Sequence, residues 1–200
     1  MSDDLLPDLL RDPVFAAAWH AGVRARVGVS ACLTGEPVRH DGGHRRVPAV
    51  ADRLATLVEL VPLCPEVAIG LGVPRPAIQR VRLDDGSEVV RGVVQRDLDV
   101  TAALDAYAAR IVRETALHGY VFKARSPSCA PGSAPLYDVH DRQIGTGRGR
   151  HAQRLYEAWP SLPVCDEEAL AGHGALQAFV LACYRMAARP SHGRPPGGPV

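Results

Sequence analysis

Lysine is almost missing from this chain. Of 200 residues, 23 are Lys or Arg, and Lys123 is the one lysine among them. That skew, together with abundant Ala, Gly and Pro, reads as a high-GC coding bias. A lysine kept three positions before Ser126 is then a candidate for chemistry that arginine does not supply; the plainer reading is chance on a strand. Net charge is scarce as well, at +1 with His neutral, so no long-range field draws nucleic acid or a membrane surface. Phosphate contacts need a basic surface, which disfavours a nucleic-acid partner. No apolar run approaches the roughly 20 residues of a spanning helix, which excludes a helical membrane protein. Close cysteine pairs are missing too: there are five cysteines, and the nearest two, Cys165 and Cys183, stand 18 positions apart. An odd count without paired spacing argues against a secreted disulfide framework. It also argues against a zinc ribbon or finger, which draws ligands from close pairs. The acidic start, Met1-Ser2-Asp3-Asp4, lacks the shape of a secretory leader. The expected setting is a reducing cytoplasm, and the expected state a monomer or weak homo-oligomer.

What is present is a repeated placement of cysteine. Cys32 follows the apolar run Val27–Ala31, Cys64 follows Leu60–Leu63, and Cys129 lies in the loop after Tyr120–Ala124. If these runs are parallel strands of one sheet, their ends share the edge at which open α/β sheets bind ligands. Three thiolates meeting there from distant segments form a candidate metal or iron–sulfur site. Ligands dispersed singly on loops suit a cluster held by three protein groups. The competing reading is that these cysteines are small buried hydrophobes.

Along the chain, Asp12 reads as an N-cap with Pro13 at the first helical position, opening a helix to about His20. Arg26 to Ala31 reads as a buried strand, residues 34–47 as a loop, and residues 49–58 as a helix with Val50, Leu54, Leu57 and Val58 inward. A strand to Cys64 follows, then a loop from Gly70 to Ile78. Val81 to Val94, interrupted by Asp84-Asp85-Gly86, reads as a β-hairpin. A long helix capped by Asp99 or Thr101 follows, with Leu104, Ala108, Ile111, Val112 and Thr115 inward and Gly119 as its stop. After the strand before Cys129 come a Gly-rich turn over Gly145, Gly147 and Gly149, a helix to Trp159, a short strand at 161–164 ending at Cys165, and one or two last helices over 167–188. Alternation of strands and helices predicts an α/β fold: a three-layer, mostly parallel, Rossmann-like sheet with an inserted β-hairpin and C-terminal helices.

Residues beside the cysteines add chemistry. Glu66 stands two positions after Cys64, at a strand end, where a carboxylate can act as general acid or base on a ligand at the same edge. Ser126 and Ser128 flank Cys129, and their hydroxyls can bond a substrate or tune a cluster through its sulfurs. Asp41 lies in the loop after Cys32, where Asp-Gly also serves simple turn formation. His40 and His44 could complete a zinc site, although loop histidines near arginines are more often solvated. The Gly145–Gly149 stretch is a poor dinucleotide motif, since its glycine spacing and the preceding strand do not fit.

Four ordered motifs now stand together: Ser30-Ala31-Cys32-Leu33, Val38-Arg39-His40-Asp41-Gly42-Gly43, Val61-Pro62-Leu63-Cys64-Pro65-Glu66, and Lys123-Ala124-Arg125-Ser126-Pro127-Ser128-Cys129. Over residues 26–168 they resemble the family catalogued as domain of unknown function 523, whose characterised members are 2-thiouracil desulfurases. The resemblance implies a [4Fe-4S] cluster held by Cys32, Cys64 and Cys129, with one iron open to the sulfur of a small thiocarbonyl substrate. It implies proton transfer at Glu66 and binding or protonation of the base at Ser126, with Asp41, Ser30, Ser128 and Lys123 around the substrate. It divides the chain into an N-terminal helical extension (1–25), the desulfurase-like domain (26–168), a C-terminal helical appendage (169–189) and a disordered tail (190–200). The chain departs from the family pattern at Ala130, where Gly is usual, and at His40, where Tyr is usual. Cys165, at the end of a short strand, is a further candidate to approach the open iron or to resolve a disulfide with a cluster cysteine; the plainer reading is ordinary packing. Two readings from other classes stay open: a non-catalytic cluster- or zinc-binding module, and a metal-free thiol redox or interaction protein.

Overall fold

A computed structural model describes residues 5–189. The tail expected to be disordered, 190–200, lies outside the described residues. Asp12 caps α2 (Pro13–His20) as expected, its Oδ1 accepting from the amides of Val14 at 3.0 Å and Phe15 at 3.1 Å; a single turn, α1 (Leu6–Leu9), precedes it. Strand β1 (Arg26–Ser30) comes next. The expected helix over 49–58 is instead one π turn (Ala49–Arg53) running into a 3-10 turn (Leu54–Thr56), but Val50, Leu54, Leu57 and Val58 are buried all the same. β2 (Glu59–Leu63) and the short α3 (Pro65–Ala68) follow.

The hairpin is present as β3 (Ile78–Arg82) and β4 (Glu88–Gly92), beginning three residues earlier than its apolar pattern indicated. Helix α4 (Thr101–Glu114) starts on an Asp99 carboxylate that accepts from the Thr101 amide at 2.8 Å, and it buries Leu104, Tyr107, Ala108 and Ile111. It ends at Glu114, not at Gly119; Gly119 is the first residue of β5 (Gly119–Phe122). Its glycine identity serves packing, because a Cβ there would meet Cys183 Sγ at 2.4 Å. Then come β6 (Ala134–Tyr137), β7 (Gln143–Gly147), α5 (Arg150–Ala158), β8 (Val164–Asp166), a 3-10 turn and α6 (His173–Ala187).

The first sheet is parallel throughout, in the order β2-β1-β5-β8. Side chains alternate across it as the strand period requires. Val27, Val29 and Val121 enter a core shared with Phe15, Leu176, Val180 and Tyr184, while Tyr120 and Phe122 enter a second core with Ala108, Ile111, Ala152 and Leu155. Helices α2 and α6 therefore cover one face, and α4 and α5 the other, which is the expected three-layer arrangement. Helices α2 and α6 meet in the first core: Phe15 and Tyr184 pack at 4.6 Å between ring centroids, and Tyr184 Oη donates to the Leu57 carbonyl at 2.8 Å.

One element of the expected architecture is corrected. The hairpin is not a lone insertion but half of a second sheet, ordered β4-β3-β6-β7, in which β6 joins β3 in parallel and β7 returns antiparallel. β6 and β7 read as loop because β6 carries Pro135 and β7 is polar and glycine-rich, both poor strand signals. No helix among the described residues is long and apolar enough to cross a membrane.

Candidate active site at the cysteine edge

From β1 the chain moves to β2 on one side and only later returns to β5 on the other. The strand order thus reverses at β1, and the crevice beyond the carboxyl ends there is where such sheets take ligands. Cys32 sits in the 3-10 turn directly after β1, Cys64 directly after β2, and Cys129 in the loop after β5. All three line one cavity of about 630 Å3. All are free thiols, Cys32 and Cys129 buried and Cys64 half-buried.

Burial and mutual repulsion favour the neutral form of all three thiols. Burial pushes the Cys32 thiol up to about 11, repulsion from a Cys64 thiolate adds to it, and Lys123 and Arg39 offset part of the rise. Cys64 is raised by burial, against amide hydrogen bonds from Val67 and Glu66 at the start of α3. Cys129 is raised well above its ordinary value by burial first, then by Glu66 and the other two cysteines, while Ser30 hydrogen-bonds toward it. Three thiols that resist ionising one beside another become ligands only with a cation to bind. The cavity wall counters their mutual repulsion once they ionise, with Arg39, Arg45, Arg46, Arg75, Lys123 and Arg125 against only Glu66 and Glu167.

Glu66 is held at both oxygens. Oε2 accepts from Arg75 Nε at 2.9 Å and Nη2 at 2.8 Å, and Oε1 accepts from Ser128 Oγ at 2.9 Å. Arg75, 3% exposed in its side chain, is anchored in turn on the Gly72 carbonyl at 3.0 Å, and its amide donates to the His40 carbonyl at 2.9 Å. Ser126 Oγ accepts from the amides of Ser128 at 3.3 Å and Cys129 at 3.1 Å. With its lone pairs so engaged, its own hydroxyl proton is free for a ligand in the cavity that it lines. Ser128 is fully buried, is not on the cavity wall, and spends its hydroxyl on Glu66.

Ser30 lines the cavity with Oγ accepting from the Lys123 amide at 3.0 Å. Lys123 lines it as well, its ammonium donating to Glu167 Oε1 and to the Ala124 carbonyl at 3.0 Å. Asp41 is not brought to the cavity: its carboxylate caps an exposed turn, accepting from the Gly43 amide at 3.0 Å and pairing with Arg39 at 3.4 Å. Its neighbours Arg39 and His40 face the cavity in its stead. His44 is exposed and accepts from the Arg46 amide at 3.2 Å. Cys165 is also away from the cavity. β8 runs on to Asp166, so Cys165 lies mid-strand opposite Val121 and packs into the first core beside Cys183.

Among the charged residues of this wall, the sequence alone does not single out Arg45, Arg46, Arg75 or Glu167. Arg75 stood in the Gly70–Pro76 segment without a partner to explain it, and Glu167 followed a strand whose end was placed too early. The Ala130 departure is harmless in backbone terms. Arg125, at φ 59°, takes the left-handed turn of this loop, and Ala130 is not among the positive-φ residues. Closeness of approach matters at Gly149 instead, where a Cβ would meet the Ser128 carbonyl carbon at 2.5 Å and the Cys129 nitrogen at 2.7 Å.

Three thiols spread around one cavity are a donor set of the kind that suits a polynuclear iron–sulfur cluster.

Comparison with known proteins agrees with this geometry. The family model described as 2-thiouracil desulfurase matches residues 27–167. A solved structure, the [4Fe-4S]-dependent thiouracil desulfidase TudS, is similar at a TM-score of 0.56 and 31% sequence identity, over 74% of this chain and 93% of that one. No curated protein matches the chain. With the family match spanning all four cysteine-edge motifs, the chain belongs to the 2-thiouracil desulfurase family.

Proposed function

We propose that this chain is a [4Fe-4S]-dependent desulfurase that replaces the sulfur of a thiouracil-like thiocarbonyl by oxygen from water, releasing sulfide. The observation that carries the reading is the meeting of Cys32, Cys64 and Cys129 on one cavity with Glu66 and Ser126 on the same wall. Cys32, Cys64 and Cys129 are the groups to hold the cluster. When bound, a cluster with one iron not taken by protein supplies a soft Lewis acid for a soft thiocarbonyl sulfur.

The protein's own part follows from its hydrogen bonds. Glu66 is oriented by Arg75 and Ser128, and its Oε1 is the atom to take a proton from the water that attacks carbon. Ser126 donates its free hydroxyl proton to a heteroatom of the base. Ser30 and Lys123 complete the wall on the β1–β5 side, and Ser128 acts through Glu66. In balance, one water enters, its oxygen bonds to carbon, the C–S bond breaks, and sulfide leaves with the protons. The substrate class is a small molecule, since the basic groups line the cavity while the chain as a whole carries only +1. Five free cysteines suit a reducing cytoplasm.

The test is anaerobic purification, reconstitution with iron and sulfide, and measurement of visible absorption, iron content and sulfide release from 2-thiouracil. Wild type is expected to carry about four irons and turn over, and Cys32→Ala to lose both. A protein that binds only zinc, or stays colourless, sinks the reading and leaves a binding or redox protein on this scaffold.

A further inference from the structure

The parallel register pairs Phe122 with Asp166, so the residues that follow, Lys123 and Glu167, emerge side by side at the cavity. Both side chains are nearly buried, at 15% and 10% exposure. Glu167 uses both oxygens on this one segment: Oε1 accepts from Lys123 Nζ, and Oε2 accepts from the Ala124 amide at 2.7 Å. The next residue, Arg125, is in the left-handed region at φ 59°, and its amide donates to Ser133 Oγ at 3.0 Å. The turn that launches the Ser126–Cys129 loop is therefore tied down from β8 by a residue outside all four cysteine-edge motifs.

An ammonium has three N–H donors. Lys123 spends one on Glu167 and one on the Ala124 carbonyl. The third is left at the cavity that the side chain lines. Such an arrangement gives a directed cation: the carboxylate beside it sets where the ammonium sits and leaves one N–H for a ligand of the cavity. Arginine cannot replace it, since its planar fork is wider and fixed, which gives a physical reason for the single lysine in a chain otherwise using Arg.

We infer that Glu167 is a positioning residue for desulfuration: it fixes the Lys123 ammonium as a hydrogen-bond donor to the substrate and pins the Ala124 amide at the root of the cysteine loop. This rests on the desulfurase reading above. A charge-assisted hydrogen bond lost from a bound substrate weakens binding about tenfold or more.

The experiment compares reconstituted wild type with Glu167→Gln, Lys123→Met, the double variant and Glu168→Gln, measuring KM and kcat for 2-thiouracil, iron content and Tm. Glu167→Gln retains an oxygen for the Ala124 amide but drops the charge behind Lys123. Its KM is expected to rise about tenfold with iron content and Tm near wild type. Lys123→Met should do the same, and the double variant should be no worse than Lys123→Met alone, since one interaction is being removed twice. Glu168→Gln, at the exposed pair with Arg125, is the control and should change nothing. Unchanged KM in Glu167→Gln, additive effects in the double variant, or loss of iron from Glu167→Gln overturns the inference, the last because it makes the residue merely structural. If wild type carries its irons but releases no sulfide from 2-thiouracil, the functional reading itself fails and the inference falls with it.

Discussion

Ser128 Oγ donates to Glu66 Oε1 at 2.9 Å, from a position buried beneath the cavity wall. The bond joins the β5–Cys129 loop to the turn after Cys64, so one hydroxyl fixes the carboxylate oxygen that Arg75 does not hold. Glu66→Gln preserves the size of the group and an oxygen for the two Arg75 donors, but its NH2 replaces the oxygen that accepts from Ser128 and removes the proton acceptor. Iron content is expected to hold and turnover to fall by about 10² to 10⁴. Ser128→Ala leaves the carboxylate charged and held by Arg75 at Oε2 but without its Ser128 partner at Oε1, and a fall of about tenfold is expected. Single-turnover sulfide release beside an iron assay checks both, and loss of iron in Glu66→Gln would make the residue structural.

His151 on α5 is fully buried, packed between Tyr107 at 5.3 Å and Tyr120 at 6.1 Å between ring centroids. Burial alone lowers its pKa from 6.5 to about 3. Above 6.5 the imidazole is neutral in both folded and unfolded chains, and the stability it contributes is fully present. Between 6.5 and 3 the unfolded chain takes a proton that the folded chain refuses, so stability falls by about 1.4 kcal/mol per pH unit from this group. Urea unfolding at pH 7, 6 and 5 should show that slope in wild type and a flatter one in His151→Leu. Equal slopes would mean the ring is not desolvated.

Asp105 gives a second acid-sensitive bond, in a lower window. Desolvation raises its carboxyl, but hydrogen bonds and charge from Arg154 and Arg150 outweigh it and bring it down to about 2. Both guanidiniums are close, with Nη2–Oδ2 distances of 2.6 Å from Arg150 and 2.8 Å from Arg154, tying α4 to α5. The contribution is complete above 3.8 and is lost as pH falls toward 2. About a quarter of the carboxylate side chain is exposed, at 27%, so solvent screening reduces its worth to about 1 kcal/mol. Asp105→Asn should lose that amount at pH 7, with iron content and turnover unchanged because the pair stands away from the cavity.

The legible parts of this fold were those with strong local signals. Asp12 before Pro13, the Val27–Val29 run and the Asp84-Asp85-Gly86 turn each carried their own punctuation, and all three appear as read. The cysteine edge was legible because each thiol follows a strand, which converts sequence position into a shared place in space. β6 and β7 were not, since Pro135, Gly145 and Gly147 argue against strand and only pairing with β3 settles the matter. Gly119 reads as a helix stop in local sequence because its real constraint, the sulfur of Cys183, lies 64 positions later. Arg75 and Glu167 escaped for the same reason: a charge reveals its purpose only through a partner, and theirs, Glu66 and Lys123, are fixed by tertiary packing.

Gly149 supplies the sharpest test of how the loop is built. It precedes α5, and the backbone of Ser128 and Cys129 passes so close that an added Cβ would stand 2.5 and 2.7 Å from backbone atoms. Hydrogen bonds reinforce the approach: the Gly149 amide donates to the Ala130 carbonyl at 2.8 Å, the Arg150 amide to Pro127 at 2.9 Å, and the Ala152 amide to Ser128 at 3.2 Å. Backbone cannot yield as a flexible side chain can, so Gly149→Ala must displace either α5 or the cysteine loop. Helix α5 is held by the Asp105 pairs and by Ala152 and Leu155 in the second core. Cys129 is part of the backbone that the added Cβ would strike, so displacement of the loop displaces this thiol. The variant is expected to lose about 1–3 kcal/mol of stability, as overpacking does, and to lose iron well before it unfolds. Ala130→Gly restores the usual family residue at a site whose backbone does not require it, and should cost only about 0.5–1 kcal/mol of chain entropy with iron retained. Iron assays on the two variants side by side separate the readings: retention of iron in Gly149→Ala would show that the loop tolerates displacement and that Cys129 is not held by this contact.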